Sequence, residues 1–115
     1  MTEINDKIKG YIGLCRAAGG VTVGFDLILA DVRAKRARLV LVSSDASERT
    51  RKQLFDKCSF YSVPCVLTGI SSGELGKTVG KGEISALSFN GKGCYNKIAE
   101  YFKTAVEKDI NKETK

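Results

Sequence analysis

The sequence predicts an α/β fold, a mixed sheet of about four strands with helices on both faces. Three observations predict it. Leu39-Val40-Leu41-Val42 is an unbroken run of β-favouring apolar residues, as in a buried strand. Phe25, Ile28, Leu29 and Val32 stand at i, i+3, i+4 and i+7, one apolar stripe of a helix just before that strand. Segments of the two periodicities alternate along the chain, with no internal repeat and no segregation of strands from helices.

The elements follow in order. Asn5 or Asp6 can cap a first helix in which Ile8, Tyr11, Ile12 and Cys15 recur at helical spacing, with Leu14 beside them. Ala17-Ala18-Gly19-Gly20 ends it, because glycine favours a left-handed exit. Val21-Thr22-Val23 is a short strand at a sheet edge, and Gly24 starts the second helix. A basic turn, Arg33 to Arg38, leads into the central strand. Asp45-Ala46-Ser47-Glu48 fits a capping box with Asp45 as N-cap and Glu48 three residues on, opening a third helix that buries Leu54, Cys58 and Tyr61. That helix must stop before Pro64, since the residue ahead of proline is pushed to extended geometry. Cys65-Val66-Leu67 is the next buried strand, Glu74–Val79 a brief helix closed by Gly80, and Ile84–Phe89 the last strand. Asn90-Gly91 turns into a final helix with Cys94, Ile98, Tyr101, Phe102 and Ala105 inward. Residues 1–108 are read as one domain and 109–115 as a frayed tail.

Composition narrows the function. With 43% hydrophobic and 28% charged residues the chain is globular rather than disordered. The net charge of +6 is concentrated, because Arg33–Lys57 holds eight basic residues against three acidic. Such an excess calls for an anionic partner. Histidine is absent, which removes the commonest general base and the Ser–His and Cys–His nucleophile pairs. The four cysteines, at 15, 58, 65 and 94, form no CxxC pair. They read as reduced, mostly buried thiols of a cytoplasmic protein rather than as metal ligands. No apolar run is long enough for a membrane span.

Three features of the sequence bear on chemistry. Ser71-Ser72-Gly73-Glu74-Leu75-Gly76-Lys77-Thr78 looks like a phosphate-binding P-loop, but Ser71 stands where the first glycine belongs and Gly80 and Gly82 break the following helix. Asp45 with Glu48 has the spacing of a helix cap rather than of a catalytic pair. Scattered glycines never form GxGxxG. No cofactor and no metal are expected, and the protein reads as a non-enzyme.

The sequence resembles the ribosomal L-seven-Ae/L-thirty-e/S-twelve-e superfamily, most closely its small bacterial members of the YlxQ type. Three stretches carry the resemblance, which runs from about Lys7 to Phe102: Gly13-Leu14-Cys15-Arg16-Ala17-Ala18-Gly19, then Gly24 through Ser47, then Glu74-Leu75-Gly76 followed by Gly80. It implies a three-layer α-β-α sandwich and binding of kink-turns, RNA bends built on tandem sheared G·A pairs. By position, Gly24, Phe25, Asp26, Leu27 and Ala30 form the helix start that meets those pairs. Ser44, Asp45, Ala46 and Ser47 form the loop that covers an extruded nucleotide. Lys35, Arg36, Arg49, Lys77 and Lys81 are the candidate phosphate contacts. The family helix reads Gly-x-Asn-Glu-x-x-Lys. Here Asp26, Leu27 and Ala30 stand at its Asn, Glu and Lys positions, removing two amide donors and one cation.

The expected function is therefore non-catalytic binding of structured RNA, with ribosomal RNA the first partner to consider and neither DNA nor membrane expected. The alternative is a protein-interaction module on the same fold with a degraded RNA site.

Overall fold

The computed structural model describes residues 6–93 and 95–103. Helix α1 (Asp6–Ala17) is followed by strand β1 (Val21–Val23), helix α2 (Phe25–Arg33), strand β2 (Leu39–Val42) and helix α3 (Glu48–Phe60). Strand β3 (Cys65–Leu67), helix α4 (Ser72–Lys77) and strand β4 (Ala86–Phe89) complete the alternation. Residues 95–103 are helical again. Asn5, Cys94, Ala105 and the 109–115 segment lie outside the described residues.

The four strands run in the order β1-β4-β2-β3. The last strand thus enters between β1 and β2, antiparallel to both, while β2 and β3 are parallel. The sheet is mixed, and β1 lies at an edge, as the sequence predicts. Successive side chains of a strand point to opposite faces, and β2 separates its residues accordingly. Leu39 and Leu41 pack with Ile8, Ile12, Leu87, Phe89, Ile98 and Phe102. Val40 and Val42 pack with Ile28, Val32, Leu54 and Cys58 on the other face. All four residues of β2 are buried, which is why its sequence shows no alternation. Helices α1 and 95–103 make one outer layer and α2 with α3 the other, giving the three-layer sandwich.

Several local expectations shift. Gly24 is the N-cap of α2 rather than its first residue, at φ 115, a conformation open to glycine and strained for other residues. The proposed Asp45–Glu48 capping box does not form. Ser47 is the N-cap of α3, and its hydroxyl accepts the Thr50 N–H at 3.1 Å. Asp45 is turned away, toward α4. Tyr61 is the C-cap of α3 and only half-buried. Leu14 is 55% exposed. Strand β4 begins at Ala86, two residues later than expected. Cys15, Cys58 and Cys65 are buried and not disulfide-bonded. A hydrogen bond with Cys65 holds the Cys58 thiol below its usual range, against the effect of burial.

Candidate nucleic-acid interface

The register decides what meets at the end of the sheet. Val23 pairs with Leu87, and Ala86 and Leu67 both pair with Val42. Strands β1, β2 and β3 therefore finish where β4 begins. Gly24 and Ser43 sit on either side of the β4 entry, two strand spacings or about 10 Å apart. The segment after β1, the loop after β2 and residues 84–85 form one surface.

The loop after β2 is held from several sides. Ser43 N–H donates to the Ser85 carbonyl at 2.8 Å, and Ser44 N–H to the Ile70 carbonyl at 2.7 Å. Thr68 donates to the Val42 carbonyl twice, through its N–H at 2.9 Å and its hydroxyl at 2.8 Å. Ala46 is buried among the side chains that pack α2 and α3 against the sheet. Asp45 accepts the Ser72 N–H at 2.8 Å and the Ser72 hydroxyl at 3.0 Å. These bonds, the backbone N–H first, hold the Asp45 carboxyl below the usual carboxylate range. The loop is thus a fixed edge tied to the first residue of α4, with Ser44 half-buried and Ser47 exposed.

The start of α2 is the complementary part. Gly24 gives it no side-chain cap, whereas α3 and α4 are each capped by a serine hydroxyl, from Ser47 and Ser71. The first N–H groups of a helix have no partner within it. Those of Phe25, Asp26 and Leu27 thus sit at the positive end of the helix dipole. Gly24, Asp26 and Leu27 are exposed, Leu27 to 62%. Phe25 is half-buried against the core behind α2, and Ala30 is half-buried one turn along.

The predicted cations divide. Arg49 is exposed in the first turn of α3, beside Ser47. Lys77 and Lys81 are exposed around the C-terminal end of α4. There the chain folds back so tightly that a Cβ on Gly76 would lie 1.6 Å from the Gly82 carbonyl oxygen. It returns to Ser72, whose carbonyl accepts the Ile84 N–H at 3.1 Å. Lys35 and Arg36 are elsewhere. They follow α2, whose nine residues set them about 13 Å from its start. Arg36 Nη2 is 3.0 Å from the Asp31 carboxylate. The structure does not bring these two to the loop after β2. Residues 84 and 85 are site members that sequence reasoning missed. Only the entry of β4 between β1 and β2 puts them there, and no local pattern encodes strand order.

Among the described residues there is no group of three His, Cys, Asp or Glu side chains placed to hold a metal ion. None of their helices is long and apolar enough to cross a membrane. What the arrangement offers is a helix start with unspent amide donors beside a braced, hydroxyl-bearing loop.

Comparison with known proteins points the same way. The profile of the ribosomal protein L7Ae/L30e/S12e/Gadd45 family matches residues 6–99. A protein of Enterococcus faecium named RNA-binding protein YlxQ is 42% identical over 82 residues, 70% of this chain and 79% of its own. Its namesake from Bacillus subtilis (strain 168) is 37% identical over 87 residues, 76% of this chain and 86% of its own. Among solved structures, a Bacillus halodurans protein of unknown function superposes with a TM-score of 0.78 at 29% identity, over 86% of this chain and 99% of that one. The Giardia lamblia 15.5kD RNA binding protein superposes with a TM-score of 0.74 at 18% identity, over 90% and 91% of the two chains, a likeness of fold.

Proposed function

The chain belongs to the ribosomal protein L7Ae/L30e/S12e/Gadd45 family, and on that premise we propose that it is a non-catalytic RNA-binding protein recognising a kink-turn-type bend at the sheet end built by α2 and the loop after β2. The observation that carries the reading is the start of α2, left without a side-chain cap by Gly24 while α3 and α4 are both capped by serine. Relatives named as RNA-binding proteins support RNA as the ligand. The Phe25, Asp26 and Leu27 amides donate to the acceptor-rich edges of the G·A pairs and their phosphates. The loop Ser44–Ser47, immobilised through Asp45 and Ser72, closes over an extruded base. Arg49 and Lys81 supply phosphate contacts, which position the RNA without reading its sequence. Ribosomal RNA is the first RNA to try.

A specific observation favours a second reading. Leu27 is 62% exposed and the neighbouring Asp26 is anionic, a pairing suited to a protein partner rather than to phosphates. One experiment separates the two. Fluorescence anisotropy is measured with a kink-turn RNA and with the same RNA carrying broken G·A pairs, across a salt series. Binding lost with the broken pairs supports bend recognition. Absence of binding to either RNA at low salt sinks it and brings the protein-interaction module forward.

A further inference from the structure

The opposite end of the sheet carries a feature of its own. Four helices among the described residues end on the same backbone device. A residue one or two places after the C-cap adopts left-handed geometry, and its N–H and the next one reach back to carbonyls of the last turn. In α1 these bonds run from Gly19 to Arg16 and from Gly20 to Cys15, and in α4 from Gly80 to Lys77 and from Lys81 to Gly76. Glycine occupies the left-handed position in both, at φ 77 and φ 68. In α2 they run from Lys35 to Val32 and from Arg36 to Asp31, and in α3 from Ser62 to Ser59 and from Val63 to Cys58. There the left-handed residues are Lys35 and Ser62, both at φ 60, and no other non-glycine residue of the described chain has positive φ. The same fold element thus uses its preferred residue twice and forgoes it twice.

The two exceptions line one cavity. It has a volume of about 340 Å³, and Lys35, Arg38, Tyr61, Ser62, Pro64 and Tyr95 are among the residues that line it. That volume falls within the range of small-ligand sites. No acidic side chain lines it. Asp31, the nearby carboxylate on α2, is engaged by Arg36 at 3.0 Å and by the Thr22 hydroxyl at 2.6 Å. The Arg38 side chain lies over Gly91, where a Cβ would come within 2.6 Å of its Nε. Tyr95 donates to the Arg38 carbonyl at 3.4 Å, and burial pushes its phenol above the usual range, so it remains a donor. Helices α2 and α3 end here with about half a negative charge each, which the full charges of Lys35 and Arg38 outweigh. Against Tyr61, which lines the cavity, stands Phe60, 79% exposed, its ring centroid 4.9 Å from that of Tyr61 in an edge-on contact. The contact braces the Phe60 ring, most of whose surface stays open to solvent.

We infer that this cavity is a second RNA contact, taking one nucleotide of a single-stranded segment with its phosphate on Lys35 and Arg38 and its base against the Phe60–Tyr61 pair. Cations tracking a backbone beside an exposed aromatic platform are the usual means of holding single strands. The inference rests on RNA being the partner, and it assigns to Lys35 a role at a site separate from the start of α2.

The test uses the full chain and two probes, a labelled oligouridylate of about six nucleotides and a blunt kink-turn RNA with no single-stranded extension. At about 50 mM salt the wild type should bind the oligonucleotide, and Lys35→Gly and Phe60→Ala should each weaken it by about tenfold. Neither variant should alter binding of the blunt kink-turn RNA. Lys35→Gly should also melt a few degrees higher, because glycine relieves the left-handed geometry. A variant that binds the strand more weakly yet is more stable cannot be failing to fold. Failure of the wild type to bind the oligonucleotide, or equal binding by wild type and both variants, overturns the inference. A lower melting temperature for Lys35→Gly overturns the argument from helix ends. Oligonucleotide binding without kink-turn binding sinks the reading of the α2 end and leaves this site standing, and the converse sinks this site alone.

Discussion

Asp45 and Ser72 lie 27 residues apart and are joined by two hydrogen bonds, at 2.8 and 3.0 Å. The pair fastens the loop after β2 to the first residue of α4. Because the Asp45 carboxyl is held below its ordinary range, the stabilisation is present above the ordinary carboxylate pKa of about 4. It is lost as pH falls through the lower folded-state value. Asp45→Asn should therefore lower the melting temperature near neutrality, and the gap to wild type should close as the solution is acidified below about pH 4. Melting curves at a series of pH values check this. Glu74, also held low, by Lys9, is present in both proteins and cancels. A gap constant with pH would show that the carboxylate charge contributes nothing.

Gly24→Ala isolates the backbone at the start of α2. A Cβ there meets only the Leu27 side chain, at an ordinary 3.7 Å, so the penalty comes from φ 115 alone. We expect a loss of about 1–3 kcal/mol, read by urea denaturation with an unchanged slope. A neutral result would mean that the turn from β1 into α2 relaxes freely.

Gly76→Ala makes the contrary case, where space rather than φ decides. Its Cβ would collide with the Gly82 carbonyl oxygen, a backbone atom that no rotamer change can move. The return from α4 toward Ile84 must open, for about 3 kcal/mol. Denaturant titration of the variant should show that loss, accompanied by weaker binding of kink-turn RNA as Lys81 moves.

Restoring the family pattern at α2 should sharpen RNA binding. Asp26→Asn returns two amide donors and removes a charge, and Ala30→Lys adds one cation. If the added lysine reaches a phosphate, the slope of log affinity against log salt should steepen by about 0.9. The measurement is anisotropy titration of the double variant and wild type against one kink-turn RNA. An unchanged slope would place the RNA away from α2.

Much of this fold was legible because its signals are local. The four apolar residues of β2, the stripe of α2 and the stop before Pro64 each follow from neighbours within a few positions. What failed was what depends on distant partners. Asp45 and Glu48 have capping-box spacing, but so do Ser47 and Thr50, and the structure uses the latter. The register with α4 that frees Asp45 for Ser72 is invisible at i+3. The basic count over Arg33–Lys57 had the same weakness. Strand β2 runs through the middle of that stretch, so Lys35 and Arg49 stand at opposite ends of the molecule. Phe60 was unremarkable in sequence because its meaning depends on the C-terminal ends of two helices meeting.

The strand order β1-β4-β2-β3 has one more consequence. The long pairings are interior, and the two rims, β1 and β3, have three residues each. A free rim is a template on which another chain can add a strand. Here both rims are equally short, so each offers an incoming strand only a few backbone groups. Topology itself thus keeps the exposed edges of the sheet short, without charged gatekeepers on either outermost strand.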